Sequence, residues 1–133
     1  MFKIKLEVDG RTYDLDNVNY NYSNYASVPE NEGFKDYANI SITVKMSKLD
    51  QKLLDWGLLG GPSQRKDGKI TVFDPERDVM FKIITFTKGY CASLNGSVYA
   101  HDDYSTYPMV MSISAEKIAI QLEKSQGKRK SDE

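Results

Sequence analysis

The chain has 133 residues, with 18 basic and 19 acidic side chains and a formal net charge of −1. This length is typical of one domain with its own core, and the balanced charge argues against electrostatically driven binding to nucleic acid. The single cysteine, Cys91, excludes an intramolecular disulfide and a zinc site built on several thiolates. No apolar run is long enough to span a bilayer, and the first residues lack the apolar core of a secretory signal. We therefore expect synthesis in the cytoplasm without membrane insertion, and export by a route that needs no cleaved signal peptide stays open.

The first two strands are marked by strict alternation. Apolar residues at positions 2, 4, 6 and 8 alternate with charged ones, and Asp9-Gly10 supplies the positive φ angles of a tight hairpin turn. The partner strand should cover Arg11 to Val18 and continue into a segment in which Tyr20 and Tyr22 share one face. Aligned tyrosines can stack on sugars or bases, but tyrosine is also a common strand residue. The strand interpretation is favoured because no charged cluster adjoins them.

Residues 26–36, ASVPENEGFKD, read as a long loop between two strands. Loops of this length in compact domains are often functional. This one carries apolar Val28 and Phe34 beside Pro29 and Glu30. The residues leave two possibilities open, a functional loop or a loop whose Phe34 packs back onto the domain.

Residues 37–46 form the most regular strand pattern, with the apolar side chains at even positions, and they lead directly into the segment SKLDQKLLDWGLLGGP. Ser47 is predicted to cap a helix over about 47–59, with Asp50 as its capping-box partner. Gly60-Gly61-Pro62 should end that helix. The apolar side of the helix, which should pack on the sheet, consists of Leu49, Leu53 and Trp56. The polar side consists of Lys48, Gln51, Lys52 and Asp55.

The remainder of the chain alternates short strands with turns. Strands are expected over 69–73, 79–87, 90–97 and 109–122, separated by a polar loop at 63–68, a turn at 74–78, a turn or bulge at Lys88-Gly89 and a polar connection at 100–107. In the last strand the apolar side chains of one face lie at odd positions up to Ala115 and at even positions from Ile118 onward. This change near Glu116 predicts a bulge or bend there. Residues 123–133 contain no apolar side chain and should form a flexible charged tail.

These elements predict a mainly β protein, a small closed antiparallel β-barrel or sandwich with one helix packed on it. The domain should span residues 1–122, followed by the tail at 123–133. No motif requires an enzyme or a cofactor. His101, Asp102 and Asp103 are the only cluster that resembles metal ligands, and a closed metal site needs more converging groups. Cys91 and His101 are the only possible thiol and imidazole pair, and nothing in their spacing makes them converge.

A resemblance to a known family adds to this interpretation. The order of several segments closely resembles the TssD family of Bacteroidetes, the haemolysin-coregulated (Hcp-like) tube proteins of type VI secretion. These segments are FKIKLEVDGRTYDL, YANISITVKM leading into SKLDQKLLDWGL, GKITVFD, MFKIITFTKGYC and YPMVMSISAEKIAI. The resemblance covers about Phe2 to Leu122. Its most specific parts are the strand–helix junction ending in Leu54-Asp55-Trp56 and the closing Ser112 to Ile120. The longer connection at 97–107 and the basic tail depart from the family pattern.

The resemblance implies a non-catalytic subunit that assembles into six-membered rings. These rings would stack into a tube inside a contractile sheath, contact spike and baseplate proteins and carry effectors. The family's ring-stacking loop maps onto 26–36, which makes Val28, Pro29, Glu30 and Phe34 its candidate residues. The resemblance also implies that the helix faces the lumen side, so that Lys48, Gln51, Lys52 and Asp55 become a candidate lumen or subunit-contact face. The protein would then leave the cell by type VI secretion.

The competing hypothesis is a monomeric ligand-binding β-barrel. It would bind a glycan or a single-stranded nucleic acid on a platform of tyrosines, drawn either from Tyr20, Tyr22 and Tyr25 or from Tyr104 and Tyr107.

Overall fold

A computed structural model describes residues 2–23, 38–45, 50–97, 100 and 109–122. Alternating apolar residues produce seven strands, and the amphipathic segment produces one short α-helix. The strands are β1 (Lys3–Val8), β2 (Arg11–Tyr22), β3 (Ala38–Val44), β4 (Lys66–Asp74), β5 (Val79–Gly96), β6 (Met109–Ala115) and β7 (Lys117–Leu122). The helix α1 (Gln51–Asp55) continues into a π-helical turn (Trp56–Gly60) and a 3-10 turn (Gly61–Ser63).

The seven strands form one antiparallel sheet that closes on itself. Its order is β4-β1-β2-β3-β6-β5-β7, and a further pairing of β4 with β5 completes the ring. β4, the first strand in this order, pairs with β5 along most of its length, so the sheet closes between these two strands. The predicted mainly β fold, closed and antiparallel with one helix, is confirmed.

Bulges divide this closed sheet into two halves. The four-stranded half contains residues 17–22 of β2, β3, β6 and residues 90–96 of β5. The five-stranded half contains residues 11–15 of β2, β1, β4, residues 79–87 of β5, and β7. Strands β2 and β5 pass from one half to the other, and a bulge lets a strand bend at such a corner.

The corner in β5 is held by its own set of contacts. Lys88 has a φ angle of +53°, which is uncommon for a residue other than glycine. Its amide donates to Asp67 Oδ1 at 2.9 Å, and its carbonyl accepts from Arg65 at 2.9 Å. Opposite it, Glu116 forms the bend between β6 and β7, and its amide donates to the Thr87 carbonyl at 3.0 Å. The bulge at Lys88-Gly89 and the parity change at Glu116 are both confirmed.

The core lies between the two halves and is entirely apolar among the described residues. Its fully buried members include Leu6, Ile40, Ile42, Val44, Ile70, Ile84, Phe86, Met111 and Ile113. The buried residues of β3 are the even-numbered ones, as the alternation of apolar and polar residues predicts. Burial of one such aliphatic or aromatic side chain contributes about 1.5–3 kcal/mol, so this cluster supplies the main driving force for folding.

Three predicted boundaries are wrong. The loop expected at 63–68 ends early, because β4 begins at Lys66 and Gly68 is buried within it. The strands expected at 79–87 and 90–97 are one strand, since the bulge bends the backbone without ending its pairing. The α-helix begins at Gln51 rather than near Ser47. Its π-helical continuation ends at Gly60, where Gly61 is the C-cap with a φ angle of +58°, as predicted, and a separate 3-10 turn follows over Gly61–Ser63. Ser47 itself lies outside the described residues.

Candidate assembly surfaces

The start of the helix is fixed by a polar network around Asp50. Its carboxylate accepts the Leu53 amide at 3.0 Å, which makes Asp50 the N-cap. The hydroxyl of Tyr13 on β2 donates to the same carboxylate at 3.0 Å, and Arg11 lies 3.4 Å from it. The network therefore joins the first hairpin to the helix.

This network shifts the acidity of both partners. Partial burial alone would raise the pKa of Asp50, but the Leu53 amide and the Tyr13 hydroxyl lower it overall by favouring the charged form. Burial, followed by the hydrogen bond to the Asp50 carboxylate, raises the pKa of Tyr13 to about 12. Near neutral pH the network thus consists of an ionised Asp50 and a neutral Tyr13.

The helix packs through Leu53 and Trp56, which are 2% and 5% exposed. The indole Nε1 of Trp56 donates to the Gln64 carbonyl at 2.8 Å, so its polar atom is satisfied within the domain. The third packing residue predicted for this side, Leu49, lies outside the described residues.

The polar side of the helix is exposed, as its sequence pattern predicts. Gln51 donates to the Asp55 carboxylate at 3.0 Å, and the ammonium of Lys52 lies 3.7 Å from the Asp9 carboxylate. The pKa of Asp9 is lowered, chiefly by the hydrogen bond from Lys66. Lys48, the fourth predicted member, is outside the described residues. The predicted ring-stacking residues Val28, Pro29, Glu30 and Phe34 are outside them as well.

Two groups of exposed apolar side chains were not anticipated from the sequence. Leu58 and Leu59, in the π-helical turn, are 63% and 77% exposed. On β7, Ile120 and Leu122 are 44% and 67% exposed, although Ile118 of the same parity packs against the core. Among the described strands β7 pairs with β5 alone. An edge strand with apolar side chains is suited to pairing with another chain.

Apart from Val110, the outer surface of the four-stranded half is polar, and it carries no charge among the described residues. Its side chains alternate with the buried ones and form continuous rows across the strands; one row is Asn19, Ser41, Ser112 and Ser93. The neutral face, as we call this surface, comprises Asn17, Asn19, Asn21, Asn39, Ser41, Thr43, Tyr90, Ser93, Asn95, Val110, Ser112 and Ser114. The signal for it was visible in the sequence as asparagine, serine and threonine between apolar residues.

The outer surface of the five-stranded half is charged. Lys5 on β1 pairs with Asp14 on β2 at 2.6 Å, and Lys69 on β4 lies 3.8 Å from Glu7 on β1. These pairs are exposed, and each contributes at most about 1 kcal/mol to stability. The two halves therefore differ chemically on their outer surfaces while sharing one core.

The described residues form no candidate metal centre. They contain no group of three histidine, cysteine, aspartate or glutamate side chains placed to hold a metal ion. Cys91 is buried, and that burial raises the pKa of its thiol, which disfavours the reactive thiolate. The candidate ligands His101, Asp102 and Asp103 lie outside the described residues, so the predicted absence of convergence stays a prediction. Within the described part of the chain, no helix is long and apolar enough to cross a membrane.

The tyrosines of the competing hypothesis are only partly described. Tyr20 is half-buried against the core, and its hydroxyl accepts from Lys82 at 2.9 Å. Tyr22 is 44% exposed. Tyr25, Tyr104 and Tyr107 lie outside the described residues. With Tyr20 engaged in the domain, the described residues do not form a tyrosine platform.

Comparison with known proteins gives a family and a fold. The model of the family described as Hemolysin coregulated protein Hcp (TssD) matches residues 1–127. No relative was found among curated protein sequences. The chain is similar to Hcp1 from Flavobacterium johnsoniae, with 21% identity, a TM-score of 0.67, and coverage of 93% of this chain and 99% of that one.

Two further solved structures share the fold. Hcp1 from Salmonella typhimurium is 13% identical, with a TM-score of 0.70 and coverage of 91% of this chain and 86% of that one. A chain of the sheath-tube complex of an extracellular contractile injection system, PVC, in its extended state is 12% identical, with a TM-score of 0.62 and coverage of 90% and 88%.

Proposed function

We propose that this chain, which belongs to the haemolysin-coregulated protein (Hcp, TssD) family, is a tube subunit of the type VI secretion system. Six copies close into a ring, and the rings stack. The observation that carries the proposal is the family match over residues 1–127, almost the whole chain. A subunit that builds a tube needs two kinds of contact, one around the ring and one between rings.

The described residues include two exposed apolar patches that are candidates for the contact around the ring. Such a contact is heterologous, so two different patches of each subunit must meet and the rotation between copies must close. The apolar Leu58 and Leu59 form one candidate patch, and the β7 edge with Ile120 and Leu122 forms another. Burial of these side chains at an interface would remove them from water, which favours association.

For the polar side of the helix we propose subunit contact rather than a catalytic role. Gln51, Lys52 and Asp55 lie in the turns directly before the exposed leucines of the π-helical turn, and we propose that a neighbour that covers Leu58 also approaches them. A polar rim around an apolar centre is typical of protein interfaces. For the contact between rings we propose the segment 26–36 with Val28, Pro29, Glu30 and Phe34, on the family resemblance alone.

The proposal extends to partners and location. Similar folds occur in a solved sheath-tube complex, in a tube-terminating cap and in a baseplate, which supports a contractile sheath, a cap and a baseplate as partners of this tube. We propose that the chain is made in the cytoplasm and leaves the cell with the tube, without a cleaved signal peptide. Its role is structural, with effectors as cargo and no chemistry of its own.

Assembly of the purified protein tests this function. Mass measurement across a concentration series and negative-stain microscopy should show six-membered rings, and tubes at higher concentration. A strict monomer at every concentration would contradict the proposal. Deletion of 30–34 should leave rings intact but reduce stacking, and unchanged tube yield after this deletion would remove the role assigned to the loop.

A further inference from the structure

The strand β7 lacks the features that usually protect the edge of a sheet. It pairs with β5 in one uninterrupted register, from Lys117 opposite Thr87 to Leu122 opposite Lys82. Exposed edges of native sheets are usually blocked by a proline, a bulge or a charged side chain within the strand. β7 contains no proline and no bulge, and its one charged residue, Lys117, is its first. The strand therefore presents a regular, uncharged edge over residues 118–122.

The free side of β7 combines backbone hydrogen-bonding groups with apolar surface. In an antiparallel pair every second residue directs its amide and carbonyl away from the partner strand, so half of the residues of β7 direct these groups away from β5. Among the described strands, no other strand pairs with β7. Ile120 and Leu122 are 44% and 67% exposed on the face on which Ile118 packs against the core. A second strand at this edge would pair the backbone groups and cover the apolar side chains together.

The sequence of β7 is complementary to itself. When two copies run antiparallel about a two-fold axis at Ile120, Ile120 faces Ile120 and Ile118 faces Leu122. The residues between them are uncharged. Lys117 falls opposite position 123 of the other copy, which follows β7 in the sequence and is a glutamate. Apolar side chains thus meet apolar ones and opposite charges meet at both ends, and both kinds of cross-strand pair are stabilising.

We propose that two copies of this chain pair through β7 in an antiparallel dimer with two-fold symmetry, and that this dimer stores subunits before assembly. This inference rests on the proposed assembly into rings, in which the β7 edge is one candidate patch. A two-fold contact uses the same patch of both subunits, whereas ring closure needs two different patches to meet. A subunit whose β7 edge is paired in the dimer is therefore held out of the ring.

The small size of this contact makes the stored form reversible. Each copy contributes one strand of six residues, which is much less than the surface buried in a stable complex. The dimer should therefore dissociate on dilution. A ring adds a contact on both sides of every subunit, and stacking adds more, so growing tubes withdraw subunits from the dimer by mass action.

Disulfide trapping tests the register of the dimer. The two copies of Ile120 face each other at the axis, with a Cα separation of about 4.5–5.5 Å that a disulfide can bridge. Ile120→Cys is oxidised mildly, and the covalent dimer is measured by non-reducing electrophoresis and mass spectrometry. The matched control is Lys117→Cys, also exposed on β7, whose two thiols would lie about 20 Å apart. The wild-type protein gives the background from the buried Cys91.

Ile120→Cys should form the covalent dimer roughly tenfold faster than Lys117→Cys. Equal rates would overturn the pairing, as would pairing of β7 with a different strand of the second copy. If Ile120→Cys does not fold, a mixture of Ile118→Cys and Leu122→Cys tests the same register, because these two positions face each other. The oxidised dimer should form no rings until it is reduced, and rings built from the oxidised dimer would overturn its role as a stored form.

Sedimentation at concentrations below ring formation tests the dimer without a cross-link. Ile120→Lys places two like charges directly opposite each other at the axis, so it should raise the dissociation constant of the dimer roughly tenfold or more. The matched control, Thr12→Lys, lies on the exposed surface of β2 and should change the dissociation constant less than about twofold.

The two proposals fail in different ways. Wild-type rings with no dimer at any concentration, or equal dissociation constants for Ile120→Lys and the wild type, would overturn the stored dimer and leave the tube function intact. Wild-type dimers that never give rings would contradict the tube function, and the storage role would fall with it.

Discussion

Replacement of Gly68 by alanine should destabilise the domain through a single side chain, Phe86. A Cβ atom on Gly68 would lie 2.6 Å from Cε2 of the Phe86 ring, closer than van der Waals contact allows. The ring has no room to retreat, because Phe86 is fully buried and its other side approaches Gly89, where a Cβ would lie 2.7 Å from Cδ1. The two glycines therefore form the slot that accepts the ring.

Overpacking of this kind costs about 1–3 kcal/mol. For a domain of this size, each kcal/mol lowers the thermal midpoint by about 4 °C, so Gly68→Ala should lower it by about 4–12 °C. Urea denaturation followed by circular dichroism gives the free energy of unfolding directly. The matched control is Gly96→Ala, also in a strand, where the nearest heavy atoms to a new Cβ are those of Met109 at 3.6 Å. That control should lose no stability.

A double mutant tests whether the ring itself is responsible. Phe86→Leu removes the atoms that clash and leaves a smaller side chain in the slot. The cost of Gly68→Ala should then be smaller in the Phe86→Leu background than in the wild type, with a coupling energy of about 0.5–3 kcal/mol. Additive effects in the double mutant, or an unchanged midpoint for Gly68→Ala, would refute the packing argument.

The remaining predictions concern the helical segment. Leu53→Asp should unfold the domain, because it places a carboxylate in a site that is 2% exposed. Leu58→Asp, at a site that is 63% exposed, should keep the thermal midpoint and reduce ring formation. An unaltered thermal midpoint for Leu53→Asp would contradict the first prediction, and normal rings with Leu58→Asp would contradict the second. Asp50→Ala should cost about 1 kcal/mol as a lost N-cap. Since the folded pKa of Asp50 is lowered, its ionised form stabilises the fold above the unfolded pKa of about 3.9, and this contribution is lost as pH falls through the folded value. Asp50→Asn keeps an acceptor without titrating, so a pH series of urea midpoints should show a flatter acid limb for this variant; a limb as steep as that of the wild type would count against the network.

The local sequence pattern was sufficient to predict most strands, because one face of each strand is buried and apolar side chains therefore alternate with polar ones. In β3, Ile40 and Ile42 were assigned to the core from parity alone, and both are fully buried. The bend at Glu116 was also predictable, since a change of parity in a continuous strand requires an extra residue. Asp50 was assigned as the capping-box partner of Ser47, but it is itself the N-cap, and its contact with Tyr13 on β2 helps to fix the start of the helix there.

Other features depended on contacts distant in sequence. Gly68 was assigned to a loop because glycine and polar neighbours are typical of turns. In the structure it lies in β4, where the Phe86 ring occupies the space that a side chain would need. The continuity of β5 through Lys88 depends on Asp67 in β4 and on Arg65, which directly precedes β4; both hydrogen-bond to the backbone of Lys88. Neither contact produces a local sequence signal.

The sequence by itself determined the elements, the parity of the core and the neutral side chains, because these follow from periodicity and residue type along one segment at a time. Only the tertiary structure decided how the segments combine. It closed the sheet through β4 and β5, aligned Asn19, Ser41, Ser112 and Ser93 in one row and left Leu58 and Leu122 exposed. The physical reason is that strand register and sheet closure are set by pairing between residues far apart in the chain, which no single segment specifies.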